Sequence, residues 1–296
     1  MRDEEKKNDS SLIPYSSSLT PLRAKKSLGQ NFLVDERVAE RIVAAFAPLR
    51  AENIIEIGPG QGALTSPLLE TAGRLVAIEL DHYLAQYLCQ QYAGNPKFHL
   101  VEADALTIDF CALIEPGTKA RVVANLPYYI STAILQRLIE QRDCISEAVL
   151  MLQREVVERI TAPPSSSERG FLSVLVEAYC EREALFDVAP EAFRPAPKVW
   201  STVVRLKMRQ HPVVDVRDEA LLWRVVSAGF AQKRKTIFNN LRSTSGILAS
   251  LIERAGGARQ VLEEARIAPQ RRAETFTLEE WGRLSHMIWQ AQAADD

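Results

Sequence analysis

The chain has 296 residues, 47% of them hydrophobic and 25% charged, with a formal net charge of −2; that make-up is that of an ordinary globular protein long enough for two domains, and the overall charge says nothing about nucleic acid. No apolar run approaches the ~20 residues that cross a bilayer, and the opening MRDEEKKNDSSLIPYSSSLTP lacks the apolar centre of a secretory signal, so a cytoplasmic protein without membrane contact is expected. Cys89, Cys111, Cys144 and Cys180 are scattered with no C-x-x-C pair and no nearby His cluster, which argues against a zinc site and against a disulfide framework.

In chain order, a basic start at Arg23 runs into Gly29-Gln30-Asn31-Phe32-Leu33, after which Val38, Ile42, Val43 and Phe46 predict a helix with Asp35 as its N-cap. Ile54-Ile55-Glu56-Ile57 reads as a short strand leading into Gly58-Pro59-Gly60-Gln61-Gly62 and a helix beginning near Ala63. Strand, glycine loop and helix make the opening of a doubly wound nucleotide-binding fold. The glycines let the backbone pass close to a ligand, and the helix start offers unpaired N–H groups. The next strand, Leu75-Val76-Ala77-Ile78, ends at Glu79, an acid 21 residues after Gly58 and at the spacing of a carboxylate that accepts ribose hydroxyls. A third strand, Phe98-His99-Leu100-Val101, is followed by Asp104, which either accepts an adenine amino group or caps the next segment.

The fourth strand, Val122-Val123-Ala124, ends in Asn125-Leu126-Pro127-Tyr128, at the edge where open α/β sheets bind ligands. Proline stiffens the turn, the Asn125 and Leu126 carbonyl groups can accept from an exocyclic amine, and the Tyr128 ring can stack beneath its base. Beyond it come a helix from Ser131 or Thr132, a strand at Ala148–Leu152, and a polar, proline-rich break at 162–167 that reads as a flexible surface loop beside a site. Strands at 185–188 and 201–206 flank Phe193-Arg194-Pro195-Ala196-Pro197-Lys198-Val199. There Phe193 is either a core plug or a second stacking face. From Glu191 to Arg242 eleven Lys/Arg face four Asp/Glu, so Lys233, Arg234, Lys235 and Arg242 are candidates for gripping RNA phosphates or else a solvated helix face. The remainder, with Gly256-Gly257 and Trp281, Leu284 and Ile288 at helical spacing, predicts a small helical bundle.

With Gly29 to Leu33, Glu56 to Gly62, Ile78 to Asp81, Asp104-Ala105, Asn125 to Ser131 and Phe193 to Val199 in this order, the chain resembles the ribosomal RNA adenine N6-dimethyltransferases over nearly its whole length from about Lys25. The resemblance implies an α/β fold of the class I methyltransferase kind: Rossmann-like, with a mostly parallel seven-stranded sheet and a small α-helical C-terminal domain. It implies S-adenosylmethionine as donor, no metal, and two adjacent adenosines near the 3′ end of 16S rRNA in the small ribosomal subunit as acceptors. The implied organisation is a disordered extension at 1–22, a catalytic domain at 23–210, and an rRNA-binding helical domain at 211–296, working as a monomer. Carried over by motif, Gln30, Asn31, Leu33, Gly58, Gly60, Glu79, Asp104 and Asn125 contact the donor. Asn125, Leu126, Pro127, Tyr128 and Phe193 make the acceptor site. Tyr129 and Gln61 depart from common residues of the family, both as tolerated changes. Rival expectations are a 23S rRNA methyltransferase of the erythromycin-resistance type and a protein that acts chiefly as a small-subunit assembly factor. A nicotinamide dehydrogenase would leave Asn125 to Tyr128 unexplained.

Overall fold

The computed structural model describes residues 24–25, 28–50 and 52–293; the extension expected at 1–22 lies outside them. Apolar runs bounded by turn residues become strands, and the intervening amphipathic stretches become helices that cover the sheet. In chain order these are β1 (Phe32–Leu33), α1 (Glu36–Phe46), β2 (Asn53–Ile57), α2 (Thr65–Thr71), β3 (Arg74–Glu79), α3 (His82–Gln91), β4 (Phe98–Glu102), β5 (Ala120–Asn125), α4 (Ser131–Glu140) and β6 (Ile145–Gln153). There follow α5 (Arg154–Thr161), α6 (Phe171–Tyr179), β7 (Cys180–Val188), β8 (Phe193–Arg194) and β9 (Ser201–Met208). The chain finishes with α7 (Glu219–Gly229), α8 (Ile237–Arg242), α9 (Ile247–Arg254), α10 (Ala258–Glu264) and α11 (Leu278–Ala293). Asp35 caps α1 by accepting from the Arg37 N–H at 3.0 Å.

Seven strands form one sheet in the order β4-β3-β2-β5-β6-β9-β7. The pairs from β4 to β6 are parallel, and β9 runs antiparallel to both β6 and β7. The chain moves outward from β2 through β3 to β4, then returns to place β5 on the other side of β2. That reversal opens a crevice at the carboxyl ends of β2 and β5, where open α/β sheets take ligands. Register aligns the edge: Ile57 pairs with both Ile78 and Ala124, Glu79 with Glu102, and Asn125 with Met151.

One face of the sheet packs on α1 and α2 through Ile42, Phe46, Ile54 and Leu68. The other face shares a continuous core with the C-terminal helices, in which Val204 and Tyr179 join Leu222, Val226, Trp281 and Ile288. The glycine pair Gly256 and Gly257 sits between α9 and α10 with φ of 85° and 89°, a conformation that a side chain would strain.

Three expectations change. Cys111 and Cys144 are joined by a disulfide with their Cα atoms 5.3 Å apart, against the expectation of none. The topology brings the turn after β4 onto the turn before β6, a meeting that spacing along the chain does not reveal. The break at 162–167 is the exposed loop expected, but none of it lines the crevice, and the Ser165 N–H donates to the Glu274 carbonyl at 2.8 Å. Next to it the fully buried Arg169 donates to the carbonyls of Ala162 and Phe276. Finally, Lys233, Arg234 and Lys235 lie exposed in the turn before α8 and not on its face.

Candidate active site

At the β2/β5 reversal lies a cleft open to solvent, lined by the ends of the central strands and by the Leu28–Leu33 segment, and concave sites of this kind at a strand-order reversal take ligands. Four strand ends build it. Gly58 and Gly60 follow β2 with φ of 65° and 59°, so the loop turns where only glycine is unstrained. A Cβ on Gly60 would meet the Phe32 ring at 3.2 Å, which is why the loop and the Asn31-Phe32-Leu33 segment can lie so close. Glu79 ends β3, Asp104 follows β4, and Asn125 ends β5; all eight expected donor-site residues line this one crevice.

Glu79 is 6% exposed, and its carboxylate accepts from the N–H groups of Gly60 at 3.1 Å and Asp81 at 2.9 Å. Burial raises its pKa, and those two N–H groups pull it back. The apolar residues Ile78, Leu80 and Ala105 line the crevice together with the acids Glu79 and Asp104. Asp104 also accepts from the Leu106 N–H at 2.9 Å, so it caps its own turn while it faces the crevice.

At the other side Asn125 donates from Nδ2 to the Asn31 carbonyl at 3.3 Å. That bond orients the amide and leaves Oδ1 with no partner among the described residues. The Leu126 carbonyl, ahead of Pro127, likewise accepts no hydrogen bond among them. Tyr128 is half-buried in the crevice wall, with its hydroxyl 3.1 Å from Ser201 Oγ on β9. Two unpaired carbonyl oxygens beside an aromatic face form an acceptor for an amino group carried on a flat ring.

Phe193 is a correction. It is 1% exposed, does not line the crevice, and packs with Val38, Ile42, Phe46 and Val203. Its backbone pairs with Leu33 in the short antiparallel ladder of β1 and β8. Burial makes it the core plug that fastens the Asn31–Leu33 segment, and not a wall of the acceptor site. Gln30 lines the crevice, yet its side chain is committed on both sides: it accepts from the Lys25 N–H at 2.8 Å and donates to Asp81 at 3.1 Å.

Sequence reasoning missed the partners. Lys25 Nζ pairs with Asp81 at 2.7 Å, and with Gln30 it ties the N-terminal segment to the cap of α3. Glu56, the lone acid in the apolar run of β2, is 1% exposed and bonded to Thr65 Oγ1 at 2.7 Å; a single acid amid Ile residues was the available signal. Burial pushes its pKa up to about 8, with the Thr65 hydroxyl lowering it and the Glu79 charge adding to the rise. In the unfolded chain the carboxyl titrates near its ordinary 4.5, so between those values the folded protein binds the extra proton and stability falls as pH rises. Glu56→Gln keeps the shape and removes the titration. Its melting temperature is expected to decline less than that of wild type from about pH 5 to about pH 8. Parallel profiles for the two proteins would contradict a neutral Glu56.

The model of the ribosomal RNA adenine dimethylase family matches residues 22–283. A ribosomal RNA small subunit methyltransferase A from Hahella chejuensis is 40% identical, over 90% of this chain and 93% of that protein. One of the same description from Clostridium botulinum is 42% identical, over 89% and 94%. Among solved structures, a dimethyladenosine transferase from Plasmodium falciparum superposes with a TM-score of 0.74 at 22% identity, over 88% of this chain and 98% of that one. The 23S rRNA methyltransferase ErmE superposes with 0.63 at 26% identity, over 88% and 100%.

Proposed function

The chain belongs to the ribosomal RNA adenine dimethylase family, and from that premise we propose that it dimethylates N6 of two adjacent adenosines near the 3′ end of 16S rRNA in the small ribosomal subunit, with S-adenosylmethionine as donor. The observation that carries this reading is the pair of unpartnered acceptors, Asn125 Oδ1 and the Leu126 carbonyl, beside the Tyr128 face at the end of β5.

The adenine N6 lone pair is delocalised into the ring and is a weak nucleophile. Asn125 and Leu126 accept the two amino protons, which holds the nitrogen in a pyramidal geometry with its lone pair aimed into the crevice. Tyr128 stacks on the base and steadies the positive charge that grows on the nitrogen. Pro127 keeps the carbonyls from turning away. S-adenosylmethionine supplies an electrophilic methyl on a sulfonium, and the residues of the crevice fit it: Glu79 for the ribose hydroxyls, Asp104 for the adenine amine, and Gly58, Gly60, Asn31 and Leu33 for close backbone approach. The site works by positioning, as in-line transfer between oriented partners requires. No raised-pKa base is called on, since the methylated nitrogen is acidic until it releases its proton to solvent. The target leaves its stack to enter the crevice, as base-modifying enzymes require.

Lys233, Arg234, Lys235 and Arg242 are exposed at the start and end of α8 and form the phosphate-gripping face in this reading, with Lys233 resting on the Ser167 carbonyl. The 23S alternative rests on the likeness to ErmE; the Gly29 to Leu33 segment and the relatives named for the small subunit favour 16S. No helix of the described residues is long and apolar enough to cross a membrane, and we place the enzyme in the cytoplasm as a monomer.

Glu79→Ala tests the donor site. Loss of two hydrogen bonds to a charged group costs about 1.5 to 3 kcal/mol, so affinity for S-adenosylmethionine is expected to fall roughly tenfold to a hundredfold. Unchanged calorimetric binding would remove Glu79 from the ribose site.

A further inference from the structure

Trp200 directly precedes β9 and leaves 46% of its surface exposed. Its carbonyl accepts from the Arg154 N–H at 2.9 Å, and the Arg154 guanidinium lies over the indole, 4.9 Å from the ring centroid. Asp187 holds that guanidinium at 2.6 Å. A cation thus covers part of the indole while the remainder of the ring faces solvent. Arg194 and Lys198 are exposed on the same proline-stiffened segment.

The location joins this pair to the acceptor crevice. The next residue, Ser201, meets the Tyr128 hydroxyl at 3.1 Å. Asn125 pairs with Met151, and Gln153 with Ser201, so Arg154, just past β6, and Trp200, just before β9, stand at the same end of the sheet as Asn125. A large exposed aromatic backed by a fixed cation and flanked by exposed positive charge, with the Arg194 guanidinium held on the carbonyls of Glu191 and Phe193, fits single-stranded nucleic acid: the ring replaces the stack a base has lost, and the cations take phosphates. When a target adenosine is extruded, its neighbour loses one stacking partner.

We propose that Trp200, backed by Arg154, is a stacking subsite for the unpaired base next to the target adenosine, with Arg194 and Lys198 binding the adjoining phosphates. The subsite rests on the rRNA reading above, and it deepens that reading by adding a second base-binding position outside the crevice. It holds the flanking nucleotide and so sets where the target strand lies relative to Asn125.

The test compares wild type with W200A, W200L and W200F. Two assays are used: methyl transfer to small ribosomal subunits from a strain lacking the modification, and binding of a short oligoadenylate against an abasic strand of equal length. W200A and W200L are expected to bind oligoadenylate about tenfold more weakly, the scale of one lost base–aromatic stack, while the abasic strand binds them as it binds wild type. Both variants should raise KM for the subunits more than they lower kcat, and W200F should stay close to wild type. Equal affinity of W200A and wild type for oligoadenylate would overturn the subsite, as would an equal loss on the abasic strand. If wild type transferred no methyl to the subunits, the reaction assigned above would fail, and the contrast between oligoadenylate and abasic strand would still judge Trp200.

Discussion

Asn125→Ala is expected to slow single-turnover methyl transfer by about 10² or more, the loss seen when one preorganised polar group is taken from a transition state. The residue is preorganised by its own hydrogen bond: Nδ2 is spent on the Asn31 carbonyl, so Oδ1 is the atom left for the substrate amine. Binding of rRNA, spread over many phosphate contacts, should change little. Tyr128→Ala should also slow transfer, because the stacking face is gone. Tyr128→Phe should be mild, since only the bond to Ser201 is lost. A fully active Asn125→Ala enzyme would remove the amine-holding mechanism even if the donor site were sound.

Phe193→Ala is expected to destabilise the protein by about 3 to 5 kcal/mol, the usual cost of emptying a buried phenylalanine site. The side chain is 1% exposed and packs among residues of α1 and β9, and its backbone holds Leu33 through the β1–β8 ladder. The loss should appear as a lowered melting temperature, with methyl transfer by the protein still folded at low temperature reduced far less than in Tyr128→Ala. Unchanged melting with transfer as slow as in Tyr128→Ala would return Phe193 to the acceptor site as a stacking wall.

The two predictions separate what the sequence displays from what it hides. Strands β2, β3, β5 and β6 each carry a mainly apolar stretch bounded by polar residues, and the acids and amide at or just past strand ends stand out against it, so the residues that line the crevice could be picked from the sequence. Phe193 could not. Its partner Leu33 lies in a two-residue strand far away in the chain, too short for any periodicity, and an aromatic in a proline-rich segment reads equally well as a plug or a platform. Gln30 lines the crevice, but its bonds to Lys25 and Asp81 depend on a fold-back that no local pattern encodes. The Cys111–Cys144 bond has the same origin, a sequence separation of 33 closed by the sheet topology.

The reaction proposed for this enzyme moves methyl groups from S-adenosylmethionine onto N6 of adenosines in small-subunit rRNA. Its most direct test gives the wild-type protein donor labelled in the methyl group, together with purified small or large ribosomal subunits from a strain lacking the modification, and then resolves the labelled nucleosides after digestion. The predicted result is label in the small subunit alone, recovered as N6,N6-dimethyladenosine from two neighbouring positions near the 3′ end of 16S rRNA. Label in the large subunit, or on any atom other than adenine N6, would contradict it.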